Sequence, residues 1–182
     1  MTQEPSKTDI AVIGAGAAGY FAAIHAAEGG ARVQLFEKSN KTLSKVKISG
    51  GGRCNVTHDC AYPTQLVKHY PRGGRSLKGP FSQFGTQDTW QWFESRGVNL
   101  KTEDDGRVFP TSDDSQTVID CLEREAQSLG VRLELSRELQ KIDTLAQGDY
   151  LLHFIVLQLV SIVYNRLFIH MKYYSNKLKK SK

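Results

Sequence analysis

Residues 9–28 read DIAVIGAGAAGYFAAIHAAE, and this stretch decides the fold of the chain. The run 9–14 is apolar and ends in glycine, which predicts a buried parallel strand. Residues 17–28 are rich in alanine and lack a cluster of β-branched residues, so they predict a helix. Residues 32–37 (RVQLFE) predict a second strand. This order of strand, helix and strand indicates a right-handed βαβ crossover and an α/β fold.

The sequence Gly14-Ala15-Gly16-Ala17-Ala18-Gly19 joins the first strand to the helix. In a GxGxxG motif the first glycine permits a tight turn, the second lets the backbone approach a pyrophosphate, and the third lets helix and strand pack closely. Glu37 ends the second strand 18 residues after Gly19. Its carboxylate can accept hydrogen bonds from both ribose hydroxyls of an adenosine that lacks a 2′-phosphate. The pattern predicts a dinucleotide site, and the alternative is a glycine-rich turn with a surface glutamate.

A second glycine-rich stretch, Ser49-Gly50-Gly51-Gly52-Arg53-Cys54-Asn55-Val56-Thr57, follows soon after Glu37. Three consecutive glycines leave the backbone free to approach a ligand, and Arg53 and Asn55 add a fixed cation and an amide. A plain nicotinamide-dependent dehydrogenase has no need of such a loop at this point. The stretch therefore favours FAD over NAD as the dinucleotide, and the alternative is a flexible glycine hinge.

The motifs GAGAAG (14–19), SGGGRCNVT (49–57) and DGRVFP (105–110) together resemble one family. It is the aminoacetone-oxidase-like, BaiN-like or YhiN-like family of FAD-binding NAD(P)/FAD-dependent oxidoreductases. The resemblance covers about residues 9–148. It implies a Rossmann-like FAD/NAD(P)-binding domain of the glutathione-reductase type. It also implies an enzyme that moves hydride through FAD, with NAD(P)H as the candidate donor and a small molecule as substrate.

Motif and resemblance together predict a set of cofactor-binding residues, while no residue is predicted to act as a catalytic acid or base. The set is Gly14, Gly16, Ala17, Ala18, Gly19, Glu37, Lys38, Lys45, Gly50, Gly51, Gly52, Arg53, Cys54, Asn55 and Thr57. One departure from the family precedes the second loop. Many members have a Gly-Arg-Lys run where this chain has Leu43-Ser44-Lys45, so that only the lysine agrees.

The length of the chain and its last residues differ from the family pattern. Members are more than twice as long and carry a further substrate domain, so we expect this chain to be a truncated, N-terminal portion. The predicted division is a FAD-binding domain at 1–149 and an aberrant apolar-then-basic tail at 150–182, produced by a frameshift or read-through. The alternatives for the tail are a buried strand or helix, or a membrane anchor at 151–169. The alternative functions are a non-catalytic dinucleotide-binding module and a membrane-tethered protein anchored by residues 151–169, although a membrane partner is not favoured.

Charge and cysteine content limit the partners. The net charge is +5, but residues 1–149 carry 18 basic and 19 acidic side chains, which predicts no nucleic-acid partner. The three cysteines are too few for a disulfide framework and predict a reducing cytoplasm.

The group Cys54, His58 and Cys60 has no common metal-ligand spacing, so no metal is predicted. The sequence indicates no oligomeric state.

Hydrophobic periodicity and turn signals organise the rest of the chain. Residues 38–85 show little periodicity and predict a functional or partly structured loop, within which Arg72, Arg75 and Lys78 are expected to be solvated. The remaining expectations are a helix at 87–96, strands at 98–103 and 107–110, a helix at 115–129, a strand at 131–136 in the same parallel sheet, and a further strand at 139–143.

Overall fold

The fold comes from a computed structural model that describes residues 8–145, 149–156 and 166–167. In chain order the elements are β1 (Ile10–Ile13), α1 (Ala17–Glu28), β2 (Val33–Phe36), α2 (Ser44–Ile48), β3 (Thr57–His58), α3 (Pro63–Leu66), α4 (Gly74–Gln83), α5 (Thr86–Glu94), β4 (Leu100–Thr102), β5 (Arg107–Pro110), α6 (Ser115–Ser128), β6 (Arg132–Glu134), β7 (Arg137–Thr144), β8 (Tyr150–Val156) and β9 (Arg166–Leu167). Short 3₁₀ helices lie at Ser49–Gly52 and Val67–His69. The chain forms two compact units, Met1–Thr42 with Arg124–Lys182, and Leu43–Glu123.

The first unit contains the predicted βαβ crossover. Strands β1, β2 and β6 form a parallel sheet in the order β1-β2-β6. All four residues of β2 are buried, as expected for the central strand of a parallel sheet. Helix α1 buries Tyr20, Ala23 and Ile24. The α/β class and the place of 131–136 in the same parallel sheet are confirmed.

A hairpin of β7 and β8 adds an antiparallel layer to the first unit. Leu152 and Phe154 are 2% and 6% exposed and belong to one core cluster with Phe36. The Phe36 and Phe154 rings stack with their centroids 4.4 Å apart. Residues 150–156 thus form a strand that buries Leu152 and Phe154. A core strand was one of the alternatives for the tail.

The origin of the tail stays a prediction. Within it, β8 pairs with β9, where Leu152 lies opposite Leu167. The rest of the predicted tail, residues 157–165 and 168–182, lies outside the described residues. Most residues of the membrane anchor considered at 151–169 also lie outside the described residues. In the described part of the chain, no helix has the length and hydrophobicity needed to cross a membrane.

The second unit is built on an antiparallel sheet in the order β3-β5-β4. Strands β4 and β5 form a hairpin around a turn at Asp104-Asp105-Gly106, where Gly106 has φ 82°. Val108 and Phe109 on β5 are fully buried. Helix α5 is capped at its start, where the Asp88 carboxylate accepts a hydrogen bond from the Gly85 N–H at 2.7 Å.

Residues 38–85 contain more regular structure than periodicity indicated. The segment holds α2, β3, α3, α4 and both 3₁₀ helices. Most of these elements span only two to five residues, too few to show a hydrophobic period. Their boundaries are set locally, by Pro63 at the start of α3 and by a left-handed Gly73 (φ 74°) before α4.

Candidate dinucleotide site

Two of the three glycines in the first motif are required by the fold itself. Gly14 has φ 99°, and its N–H donates to the Phe36 carbonyl at 2.7 Å. A Cβ atom on Gly19 would lie 1.8 Å from the Gly14 carbonyl oxygen and 3.5 Å from Leu35. The helix can therefore approach the strand only with glycine at position 19.

Gly16 is explained neither by its backbone conformation nor by its neighbours. Its φ of −86° and ψ of −176° are extended values open to any residue. A Cβ atom there would meet no atom of the described residues within 4 Å. The start of α1 is therefore open beside position 16.

The first turn of α1 has no protein acceptor from its cap or from an acidic side chain. Gly16 is the N-cap and provides no side-chain hydrogen bond, and the first turn has no acidic residue. Ala17 and Ala18 are exposed. Backbone N–H groups at a helix start carry partial positive charge, so this end of α1 suits a phosphate.

Glu37 is tied to the same turn. Its Oε2 accepts a hydrogen bond from the Ala15 N–H at 2.9 Å, and its Oε1 accepts from the N–H and the hydroxyl of Ser39, each at 2.9 Å. A carboxylate offers about four lone-pair positions, so Oε2 can still accept one more donor. Ser39 was not predicted, although a hydroxyl two residues after the strand-ending acid was available as a signal.

The environment of Glu37 favours its charged form. Burial raises the pKa of this carboxyl, but the Ser39 N–H, the Ala15 N–H, the Ser39 hydroxyl and the nearby Lys38 charge together bring the pKa below its ordinary value. Lys38 itself is exposed. The structure thus brings Glu37 and the Gly14–Gly19 turn together through the hydrogen bond from the Ala15 N–H.

The second glycine loop lies in the other unit. Gly50, Gly51 and Gly52 have φ of 55°, 70° and 88°, so three successive residues adopt the left-handed conformation that favours glycine. A Cβ on Gly50 would also lie 2.8 Å from the Phe109 ring and 2.9 Å from the Asn55 nitrogen. Gly50 and Gly51 are exposed on their other side.

Arg53 directs its guanidinium toward side chains of its own unit. It forms a salt bridge with Glu103, and its Nη1 lies 3.5 Å from Asp113. The guanidinium carbon lies 4.0 Å above the centre of the Phe109 ring. The three partners lie on or beside the β4–β5 hairpin and its following turn. Phe109 belongs to the DGRVFP motif, whereas no sequence pattern pointed to Glu103 or Asp113.

The remaining predicted residues of the second loop differ in exposure. Cys54 is 6% exposed with φ 62°, and burial raises the pKa of its thiol, which opposes a role as a reactive thiolate. The Asn55 amide, in its hydrogen-bonding orientation, donates to the Val108 and Thr57 carbonyls at 3.2 and 2.7 Å. Thr57 lies in β3 opposite Val108. Lys45 is exposed on α2.

Other candidates lie outside both glycine loops. Among the described residues, no group of three or more His, Cys, Asp or Glu side chains is arranged to hold a metal ion. Trp92 and Phe93 are buried in α5 and contribute to the core. The cations expected to be solvated, Arg72, Arg75 and Lys78, are exposed in and before α4.

Comparison with known proteins identifies the family. The profile of the HI0933-like protein Rossmann domain matches residues 8–163, most of the chain. The chain belongs to the HI0933-like family. Its membership confirms the resemblance drawn from GAGAAG, SGGGRCNVT and DGRVFP, and it confirms the Rossmann-like fold.

Curated relatives of this HI0933-like chain are considerably longer than it is. It is 30% identical over 141 residues to a 3-dehydro-bile acid delta(4,6)-reductase of Clostridium scindens, covering 76% of this chain and 34% of the relative. It is 31% identical over 136 residues to a ribosomal RNA dihydrouridine synthase of Escherichia coli, covering 75% of this chain and 33% of the relative. The chain therefore spans about a third of the length of these relatives.

Solved structures share the fold. A 3-ketosteroid-delta4-(5alpha)-dehydrogenase from Rhodococcus jostii RHA1 aligns with a TM-score of 0.64 at 17% identity, covering 94% of this chain and 45% of that one. A flavocytochrome c3 fumarate reductase aligns with a TM-score of 0.62 at 24% identity, covering 84% and 31%. At these identities the likeness concerns the fold.

Proposed function

We propose that this HI0933-like chain is the FAD-binding part of a flavoprotein oxidoreductase. The observation that carries the proposal is the open space at Gly16 beside the start of α1, with Glu37 bonded to the same turn. A pyrophosphate can approach the backbone at Gly16, and the free lone pair of Glu37 can accept from the adenosine ribose. These residues fit the ADP half of a dinucleotide.

The second loop distinguishes FAD from a nicotinamide dinucleotide in this proposal. Gly50 and Gly51, with the exposed Asn55 near them, offer accessible backbone groups to a ring system. We assign Lys45, Gly52, Arg53, Cys54 and Thr57 to the same loop region, and Ala17, Ala18 and Lys38 to the ADP region. When bound, FAD supplies hydride transfer, while the chain supplies binding and orientation.

The reaction type is inferred from the names of two relatives. A delta(4,6)-reductase and a dihydrouridine synthase are both named for the reduction of an organic compound. We propose the same reaction type for the whole protein, with NAD(P)H as the electron donor. The nearly balanced charge of residues 1–149 favours a small-molecule substrate over nucleic acid. Free cysteines at 54, 60 and 121 are compatible with a cytoplasmic location.

Purification of the chain after expression in the presence of added FAD tests the proposal. We expect a yellow protein that keeps the flavin through gel filtration and shows the visible flavin absorption band. A colourless protein that does not bind added FAD would contradict it. Anaerobic mixing with NADPH then tests the donor: bleaching of the flavin band supports NAD(P)H, and an unchanged spectrum identifies a binding module without turnover.

A further inference from the structure

The Arg53 guanidinium contacts two carboxylates and an aromatic ring of its own unit, although its side chain is still 32% exposed. Two of its nitrogens face the Glu103 carboxylate, with Nη2 3.5 Å from Oε2, and Nη1 also lies 3.5 Å from Asp113. Its flat face covers the Phe109 ring at 4.0 Å. An arginine that binds phosphate presents its fork of N–H groups to the ligand. Here carboxylates of the same unit already take these donors.

The charges around Arg53 also balance locally. Lys101 pairs with Asp113 at 2.5 Å, and Arg107 pairs with Asp105 at 2.6 Å and lies 3.5 Å from Glu103. Each cation in the cluster has a carboxylate partner, so the cluster offers no surplus positive charge to a pyrophosphate. Binding an anion through the two Arg53 nitrogens that face Glu103 would require that pair to open.

Phe109 links Arg53 to the glycine loop. The fully buried ring lies under the Arg53 guanidinium and against Gly50, where a Cβ atom would come within 2.8 Å of it. The loop is closed by a hydrogen bond from the Cys54 N–H to the Ser49 carbonyl at 3.0 Å. Three consecutive left-handed glycines have high conformational entropy when free, so such a loop keeps one shape only when its ends are held.

We propose that Arg53 is a positioning residue, which fixes the glycine loop Ser49–Gly52 on the β4–β5 hairpin through Glu103 and Phe109. The loop then presents the exposed backbone of Gly50 and Gly51 to the flavin, and the arginine side chain stays on its inner side. This inference deepens the proposed FAD site and rests on it. It also gives the SGGGRCN and DGRVFP motifs one shared role, since each contributes one side of the same contact.

The test compares Arg53→Lys and Glu103→Gln with a matched control pair in the other unit, Arg32→Lys and Asp9→Asn. Arg32 and Asp9 also form a two-bond ion pair, with N–O distances of 2.6 and 2.9 Å. The readouts are FAD affinity, ADP affinity, the visible circular dichroism of bound flavin, and hydrogen exchange of the Cys54 amide in the ligand-free chain.

If Arg53 positions the loop, both Arg53→Lys and Glu103→Gln weaken FAD binding by about tenfold, and the double variant is no weaker than either single one. The Cys54 amide exchanges faster in both variants without any ligand, the flavin dichroism changes, and ADP affinity is unchanged. The control pair alters none of these quantities. Because both substitutions are mild, thermal unfolding of the ligand-free chain is expected to stay cooperative.

Two outcomes would overturn the inference. In one, Glu103→Gln binds FAD as tightly as the wild type while Arg53→Lys binds weakly, which would make Arg53 a direct cofactor contact. In the other, Cys54 amide exchange is the same in all variants, which would mean that the loop does not depend on Arg53. A wild-type chain that binds neither FAD nor ADP would instead contradict the proposed function.

Discussion

Glu37 accepts a hydrogen bond from the backbone N–H of Ala15 at 2.9 Å, so the residue expected to hold the ribose also fixes the turn expected to hold the pyrophosphate. The bond joins the end of β2 to the turn before α1. It orients the carboxylate before any ligand arrives, and preorganisation of this kind lowers the ordering cost of binding.

The contribution of Glu37 to stability depends on pH. Its pKa in the folded chain lies below the ordinary value of 4.5, so its hydrogen bonds stabilise the fold above that pH and are lost as the pH falls through the folded-state pKa. Glu37→Gln cannot titrate. We expect the free energy of unfolding of the wild type to exceed that of Glu37→Gln at pH 7, and the difference to shrink below pH 4.5.

Urea titrations of both proteins across this pH range measure the difference. Glu28→Gln provides a control, since Glu28 is exposed at the end of α1. If the difference in free energy of unfolding between wild type and Glu37→Gln stays constant from pH 7 to acid, the stabilising effect of Glu37 does not depend on its negative charge.

The glycines at 16 and 19 are expected to tolerate alanine very differently. A Cβ at position 19 would lie 1.8 Å from the Gly14 carbonyl oxygen, whereas one at position 16 meets nothing within 4 Å. Gly19→Ala should lose about 3 kcal/mol of stability or fail to fold. Gly16→Ala should change the stability of the ligand-free chain by less than about 0.5 kcal/mol. Equal stabilities in denaturant unfolding would contradict the packing described for α1.

At Leu43, replacement by glycine is expected to destabilise the chain less than replacement by alanine, which reverses the usual order. It is 2% exposed but has φ 52°, a left-handed conformation that costs a residue with a Cβ about 1 kcal/mol. Leu43→Ala loses the buried side chain and keeps the strain, whereas Leu43→Gly loses the side chain and relieves the strain. Leu43→Gly should therefore be about 1 kcal/mol more stable than Leu43→Ala.

Thermal and denaturant unfolding of the two Leu43 variants decide this point. Leu66, which is also buried and lies in α3, gives the normal order as a control, with Leu66→Gly less stable than Leu66→Ala. If Leu43→Gly is the less stable of its pair as well, the left-handed conformation at residue 43 is wrong.

Phe154 tests whether the beginning of the predicted tail belongs to the fold. Its ring stacks on Phe36 and is 6% exposed, so Phe154→Ala should cost about 3 kcal/mol. Ile142 on the neighbouring strand is 53% exposed, and Ile142→Ala should cost below about 1 kcal/mol. Comparable small losses in both variants would place residues 150–156 outside the folded core and favour a foreign tail from residue 150.

The first unit could be predicted closely because its signals are local and long. Helix α1 spans Ala17–Glu28 as the alanine-rich run indicated, and β1 and β2 lie within the predicted runs. Gly14 and Gly19 are required by the turn and by helix–strand packing, as the motif indicated. The cofactor-binding roles of Gly16 and Glu37 stay predictions. Periodicity and the βαβ handedness rule were sufficient for this part.

The contacts of the second unit were harder to predict from the sequence because they join residues that are far apart in the chain. Arg53 meets Glu103 across 50 positions, and Gly50 packs against Phe109, contacts that no local pattern encodes. The short helices between Ser44 and Gln83 depend on capping and packing more than on a hydrophobic period. Composition alone did not assign the strand at 150–156, because an uncharged apolar run is compatible with a strand, a buried helix and a membrane anchor.

Titration of the ligand-free chain with FAD, in wild type and in Gly16→Val, tests the central claim most directly. Gly79→Val in α4 is the control, since a Cβ at residue 79 also meets nothing within 4 Å and the residue has no positive φ. We predict that wild type and Gly79→Val bind FAD with similar affinity, while Gly16→Val folds but loses binding because its side chain fills the space reserved for the pyrophosphate. Equal FAD affinity in Gly16→Val and wild type would contradict the dinucleotide site at Gly14–Gly19.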